Sequence, residues 1–295
     1  MDLYTQTDLA CESVTPKEMK KNGENLRQEQ VGRFSVSELN IQNQESVNKI
    51  GKPKGKYITV DCGRIGILGD RDLLILEELL AEKLMEMAER LTGKQIDADF
   101  GVFVAGLGNA EMTADAVGPK TVGYLTATRH LREHEAALYR SIGCSELSAL
   151  APGVLGQTGI ETLELLRGIV SYVNPNVVLV VDALAARSCN RLATTVQISD
   201  AGICPGSGVG NHRSAITKET LGVPVIALGV PTVVNSATLV YDALQEAGIR
   251  DICEPLRQVL ENGKSFFVSP KDSDEIVESV SRLLAGAIGR AFAKI

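Results

Sequence analysis

The chain of 295 residues contains no tryptophan, and aromatic residues make up only 4% of it, so its core must be built mainly from aliphatic side chains. It has no run of about 18 apolar residues, and no membrane-spanning helix is expected. The first residues, MDLYTQTDLACESV, include no basic cluster followed by an apolar stretch, so no secretory leader is expected. Positive charge is in deficit: 30 Lys and Arg stand against 37 Asp and Glu, a formal charge of −7. Direct nucleic-acid binding normally leaves a basic footprint and is not expected here. The six cysteines (Cys11, Cys62, Cys144, Cys189, Cys204 and Cys253) include no Cys-x-x-Cys pair. In a chain of this length that pattern implies free thiols in a reducing compartment, each acting as a small buried hydrophobe.

Several familiar chemical signatures are missing too. There is no P-loop. The turn Gly106-Leu-Gly-Asn109 begins like a dinucleotide fingerprint, but Glu111 stands where the third glycine is needed. Those glycines more simply let the backbone turn tightly at a strand end. A nucleophile elbow does not fit around Ser207, because Pro205 replaces its first glycine. His130-Leu-Arg-Glu133-His134 matches the His-x-x-Glu-His zinc pattern, and two histidines four apart share a helix face. No third ligand can be assigned from the sequence, and a charged surface helix is the simpler reading.

What the chain does have is a set of buried strands separated by helices. Val177-Val-Leu-Val-Val-Asp182 and Phe100-Gly-Val-Phe-Val-Ala105 are continuous apolar runs bounded by turns, as in strands covered on both faces. Tyr57–Asp61 and Pro224–Val230 read as further strands. Thr194–Ile198 alternates more and reads as an antiparallel or edge strand. Leucines at helical spacing predict a helix over Asp70–Leu91, stopped by Gly93. Thr158-Gly-Ile-Glu161 reads as a capping box opening the next helix. Helices are also expected over Ser236–Ala247 and Asp272–Ala293. Residues 1 to about 55 are polar and read as a mobile extension that docks loosely. Strands alternating with helices give an α/β fold with a mostly parallel central sheet covered by helices on both faces.

Asp115 follows one buried strand and Asp182 ends another. Ligand and catalytic groups in such sheets gather at the carboxyl ends of strands. Read separately, Asp115 is a cap and Asp182 a strand-end acceptor. Read together they form a carboxylate pair, which shares a proton and does acid–base hydrolysis. The loop Gly202-Ile-Cys-Pro-Gly-Ser-Gly-Val-Gly-Asn-His212-Arg213 is either a connector or a flap over a cleft, with Gly206, Ser207, Gly208, His212 and Arg213 as its candidate site residues.

Five segments, GLGNAEMTADAVGP (106–119), APGVLGQTGIET (151–162), VVDALAARS (180–188), TTVQISDAGICPGSGVGNHR (194–213) and LGVPVIALGVPTVV (221–234), resemble the germination protease of spore-forming bacteria in their order along the chain. The resemblance implies a three-layer, phosphorylase/hydrolase-like α/β sandwich similar to hydrogenase-maturation endopeptidases. It implies an endopeptidase that starts the degradation of small acid-soluble spore proteins, made as a zymogen, tetrameric, and located in the spore core. It also implies two essential aspartates, falling on Asp115 and Asp182, and no cofactor. A metal-dependent variant using Asp115, Asp182 and His212 stays open, because structural cousins bind metals. Substrates of the family are cut after the first acid of a motif like Thr-Glu-Phe/Ile-Ala-Ser-Glu. Thr7-Asp8-Leu9-Ala10-Cys11-Glu12 has that layout, which implies self-cleavage between Asp8 and Leu9, a propeptide of residues 1–8 and one peptidase domain over 9–295.

Overall fold

The computed structural model describes residues 7–13, 26–206, 213–249, 253–262 and 266–294. Its centre is a nine-stranded sheet in the order β1-β2-β3-β7-β8-β6-β4-β5, with β9 against β8. The strands are β1 (Leu26–Val31), β2 (Phe34–Ile41), β3 (Gly55–Asp61), β4 (Gly101–Gly106), β5 (Glu146–Leu150), β6 (Val177–Ala186), β7 (Thr195–Ser199), β8 (Val225–Asn235) and β9 (Phe267–Val268).

The layered α/β class is as expected, with a correction to the sheet, which is mixed rather than mostly parallel. Strands β5, β4, β6 and β8 form a parallel block. Strands β1, β2, β3, β7 and β9 pair antiparallel. The chain segments differ accordingly. The parallel strands β6 and β8 are apolar on both faces, whereas β2 shows a thin, broken alternation, with Phe34 and Val36 buried on one face and Leu39 and Ile41 on the other. That thin alternation is why residues 26–55 read as a loose polar extension. They are instead a hairpin and a short helix (Gln44–Ile50) built into the sheet. Strand β7 is antiparallel, but it is an interior strand between β3 and β8.

Helices cover both faces. Helix α1 (Asp70–Thr92) buries Leu76, Leu80, Leu84 and Met87 on one face, together with α5 (Ser273–Ile288). Each such side chain contributes about 1.5–3 kcal/mol of burial. Asp70 and Asp72 favour the positive end of α1, and Gly93 closes it in the left-handed conformation (φ 67°), its N–H donating to the Glu89 carbonyl. Helix α4 (Thr162–Val173) covers the other face with Leu163, Leu166 and Val170. No capping box opens α4. Its first cap is Glu161, without a side-chain bond, because Gly159 takes the left-handed conformation (φ 72°) and ends a separate turn over Leu155–Thr158. The Thr158 hydroxyl is held there, accepting the Ile160 N–H at 3.2 Å.

Strands β4 and β6 are neighbours, and their outgoing connections run in opposite directions, from β4 to β5 and from β6 past β8 to β7. A crevice opens at such a switch point beyond the carboxyl ends of the strands.

Candidate active site

Both sequence-predicted aspartates lie at that crevice. Gly106 pairs with Val181, so the next residue on β6, Asp182, sits where β4 stops. The turn after β4 returns the chain to the same place through two bare backbone contacts. A Cβ on Gly108 would lie 2.0 Å from the Asp115 carbonyl oxygen, and Gly108 has φ +110°. A Cβ on Gly106 would lie 2.2 Å from the Gly118 carbonyl oxygen at the start of α2 (Val117–Tyr124). These glycines therefore allow close packing of the Asp115 turn, as the tight-turn reading expected, and no nucleotide site is needed to explain them. A β-bulge fixes the turn from the other side. Leu184 pairs with Pro231 and Ala185 with Val233, which leaves Thr232 out of register, and its hydroxyl donates to the Ala114 carbonyl at 2.6 Å.

The two carboxyls differ in surroundings. Asp182 is buried at 6% exposure, and burial pushes it well above the usual carboxylate range. The charges of Asp115 and then Asp8 push it further, against the pull of the Ala183 N–H, which donates to its Oδ1 at 2.9 Å. Burial also raises Asp115, but the Asn109 N–H donating to its Oδ2 at 2.8 Å and the cation of Arg213 both favour its ionised form. One proton on the pair therefore rests preferentially on Asp182, leaving a carboxylate at Asp115.

The third carboxylate, Asp8, belongs to a segment that fills the crevice. The Asp8 N–H donates to the Ala185 carbonyl and the Ala185 N–H to Asp8 Oδ2, both at 2.8 Å. Leu9 is fully buried against Leu184, Ala186 and Val234. Ala10 is buried beside Leu39, Ile41 and Tyr57. Residues Ala10–Ser13 curl into a single 3₁₀ turn, which brings Glu12 back over the end of β6. There its carboxylate accepts the N–H groups of Arg187 at 2.7 Å and Ser188 at 2.9 Å. The Thr7 hydroxyl donates to the same carboxylate and accepts the Leu9 N–H at 3.0 Å. Lys52 donates to the Thr7 carbonyl. Burial lowers the Lys52 ammonium, and the charges of Asp8 and Glu12 oppose that shift. Cys11, at the motif's small-residue position, packs against the cluster of Leu9, Leu184, Ala186 and Val234, so every position of Thr7–Glu12 has a partner in the crevice.

Other expected site residues are only partly visible. Gly206 and Arg213 flank the Gly-rich loop, which is pinned at its base by the Ile203–Ile216 bridge. Ser207, Gly208 and His212 lie outside the described residues, so the Asp115–Asp182–His212 metal set is not tested there. His130 and His134 sit on α3 (Arg129–His134), away from the aspartates in the chain fold, and Glu133 pairs with Arg129 at 3.4 Å. Among the described residues, no three His, Cys, Asp or Glu side chains are grouped so as to hold a metal ion. No helix among them is long and apolar enough to cross a membrane. Sequence reasoning missed Gln197 and Lys52. The signal for Gln197 was a polar side chain facing a buried side of β7. Lys52 gave none.

Comparison with known proteins points the same way. A family model described as germination protease matches residues 4–247. A germination protease of Caldanaerobacter subterraneus subsp. tengcongensis is 39% identical, covering 98% of this chain and 94% of its own. One from Clostridium perfringens is 38% identical over 88% of this chain and 84% of its own. One from Priestia megaterium is 40% identical over 81% of this chain and 65% of its own.

Proposed function

The chain belongs to the germination protease family, and from that premise we propose that it is a self-processing endopeptidase whose carboxylate pair, Asp115 and Asp182, first cuts its own Asp8–Leu9 bond and then small acid-soluble spore proteins carrying the same motif. The observation that carries this reading is the seating of residues 7–12 along β6, immediately beyond Asp182, with Asp8 close enough for its charge to raise the Asp182 carboxyl.

The chemistry follows from the unequal pair. The ionised Asp115 takes a proton from a water molecule as the water oxygen bonds to the Asp8 carbonyl carbon. The protonated Asp182 donates to the carbonyl oxygen, giving a gem-diol; as the C–N bond breaks, Asp115 passes the proton it took from water to the Leu9 nitrogen and Asp182 recovers a proton from a gem-diol hydroxyl. The products are an Asp8 α-carboxylate and a Leu9 amine. The motif preference has a physical basis in the same contacts. Leu9 occupies an aliphatic pocket, Ala10 a site too tight for a larger side chain, and Glu12 a pair of backbone N–H donors. Residues 1–8 are the propeptide on this reading, 9–295 the peptidase domain, and the assembled form a homotetramer of the spore core.

Purified protein held at mildly acidic pH is expected to lose its first eight residues, read by intact mass, and Asp115→Asn and Asp182→Asn each to stop the loss. Normal processing in either variant removes that aspartate from the mechanism. Self-cleavage undiminished in chelator is expected. Loss in chelator with recovery on adding zinc would move water activation to a metal held by Asp115, Asp182 and His212.

A further inference from the structure

We propose that Gln197 is a catalytic residue, the hydrogen-bond donor that polarises the carbonyl of the bond being cut. This rests on the reading of Asp8–Leu9 as the scissile bond. Gln197 sits on β7, in register with Gly229, and Gly229 is in register with Asp182 on β6. The three positions form one row across the sheet and present their side chains to the same face. Glycine in the middle puts no side chain of its own into that row and lets the Leu184 side chain lie over it: a Cβ at 229 would meet Leu184 at 2.7 Å and the Asp182 carbonyl at 2.9 Å. Gln197 and Asp182 thus face each other across two strand spacings, about 10 Å, the width of one peptide chain.

The bound segment passes over that row, with Leu9 against Leu184 and its flanking backbone on Gln197. Gln197 Nε2 donates to the Asp8 carbonyl oxygen at 3.1 Å, and Gln197 Oε1 accepts the Ala10 N–H at 2.7 Å. Because the Ala10 partner is an N–H, the amide has one workable orientation, with its NH₂ on the Asp8 carbonyl. The side chain is 7% exposed, so its donor acts in a site largely cleared of water. When water adds to the Asp8 carbon, negative charge collects on the oxygen that Gln197 already holds. A fixed donor there stabilises the tetrahedral state more than the planar peptide. The second bond, to Ala10, locks the peptide on both sides of the cut and keeps the carbonyl from rotating away.

Gln197→Glu keeps size and shape but replaces the donor with an acceptor, and Gln197→Ala removes both bonds. Single-turnover self-cleavage is expected to fall about 100- to 1,000-fold in each, the loss typical of one such donor. With a Thr-Asp-Leu-Ala-Cys-Glu peptide added in trans, the fall is expected mainly in kcat rather than KM. Self-cleavage within about threefold of the unaltered protein overturns the proposal, as does a loss confined to KM, which would make Gln197 a docking residue. A peptide with a thioamide at the scissile carbonyl tests the same bond in the unaltered protein. Its slower cleavage should not slow further in Gln197→Ala, and independent, multiplying losses overturn the proposal. Asp115→Asn and Asp182→Asn run alongside: if they process normally the underlying reading fails, whereas inactive aspartate variants with a normal Gln197 variant sink only this inference.

Discussion

Asp115 and Asp182 are the same side chain in two different environments, and the division of labour proposed for them rests on those environments. Asp182 has lost water and faces two other carboxylates, while Asp115 keeps a backbone donor and the Arg213 cation. Processing should therefore show a bell-shaped pH profile whose acid limb marks loss of the Asp115 charge and whose alkaline limb marks loss of the Asp182 proton. Asp8→Asn removes one of the negative charges that hold the Asp182 proton, so the alkaline limb should move to lower pH; an unmoved limb in single-turnover assays contradicts the assignment. The same burial has a cost in stability. For a carboxyl raised on folding, the stabilising contribution is fully present below the unfolded value of about 3.9 and is lost as pH rises through the folded value. Asp182→Asn is consequently expected to raise Tm at neutral pH, with the gain shrinking toward pH ~4. A gain that stays constant down to that pH means the raised carboxyl is not the cause.

The elements decide where these residues can meet. The Asp115 turn is pressed against Gly108 and Gly106, and tied to the β8 bulge through Thr232. Gly108→Ala combines a clash of the new Cβ with the Asp115 carbonyl and a left-handed φ that alanine resists. A displacement of about 1 Å is enough for roughly a 100-fold loss of processing, with an expected destabilisation of about 1–3 kcal/mol. Kinetics and denaturant unfolding on that variant check both numbers, and unchanged processing would show that the glycine contact does not position Asp115. The sequence made much of this legible. Continuous apolar runs identified β4, β6 and β8, and leucine spacing identified α1, because burial on both faces or along one stripe leaves a periodic record. The β1–β2 hairpin left too little record, since residues 27–31 of β1 are exposed or half-buried and β2 shifts its buried residues from one face to the other at Ser37-Glu38. The apparent capping box at Thr158–Glu161 failed because a glycine inside it was free to end a turn. The alternation of Thr194–Ile198 marked β7 as antiparallel or edge, and antiparallel it is, but alternation does not say which neighbours a strand will pair with, so its interior place and the orientation of β3 were not readable. Asp182 was found because an acid breaks a continuous apolar run, and Asp115 because it follows the Gly-rich turn after another. Gln197 sits mid-strand, and only the register with Gly229 and Asp182 reveals what it faces.

For the molecule as a whole, the consequence is that the cleft is occupied by its own chain. The tethered segment competes with any substrate at an effective concentration of the order of millimolar, so the cleft should stay closed to outside peptides while residues 7–12 remain docked. The proposed hydrolysis of the Asp8–Leu9 bond would change that balance. It places a new ammonium on Leu9 and a new carboxylate on Asp8 in a site already crowded with acid and poor in water, and unpaired charge is strongly disfavoured there. The cut segment should then leave, and Lys52, freed of its Thr7 partner, regains solvent. The docked state is testable without any cleavage. In Asp115→Asn, which holds the chain uncut, a labelled Thr-Asp-Leu-Ala-Cys-Glu peptide should bind poorly. Adding Leu9→Asp, which forces a charge into the pocket of Leu184, Ala186 and Val234, together with Glu12→Ala, which removes the carboxylate from the Arg187 and Ser188 N–H groups, should undock the segment. Peptide affinity is then expected to rise at least tenfold, about 1.4 kcal/mol, by fluorescence anisotropy. Equal binding before and after those two changes would mean that the N-terminal segment does not close the cleft, and that activation must be sought in another part of the fold.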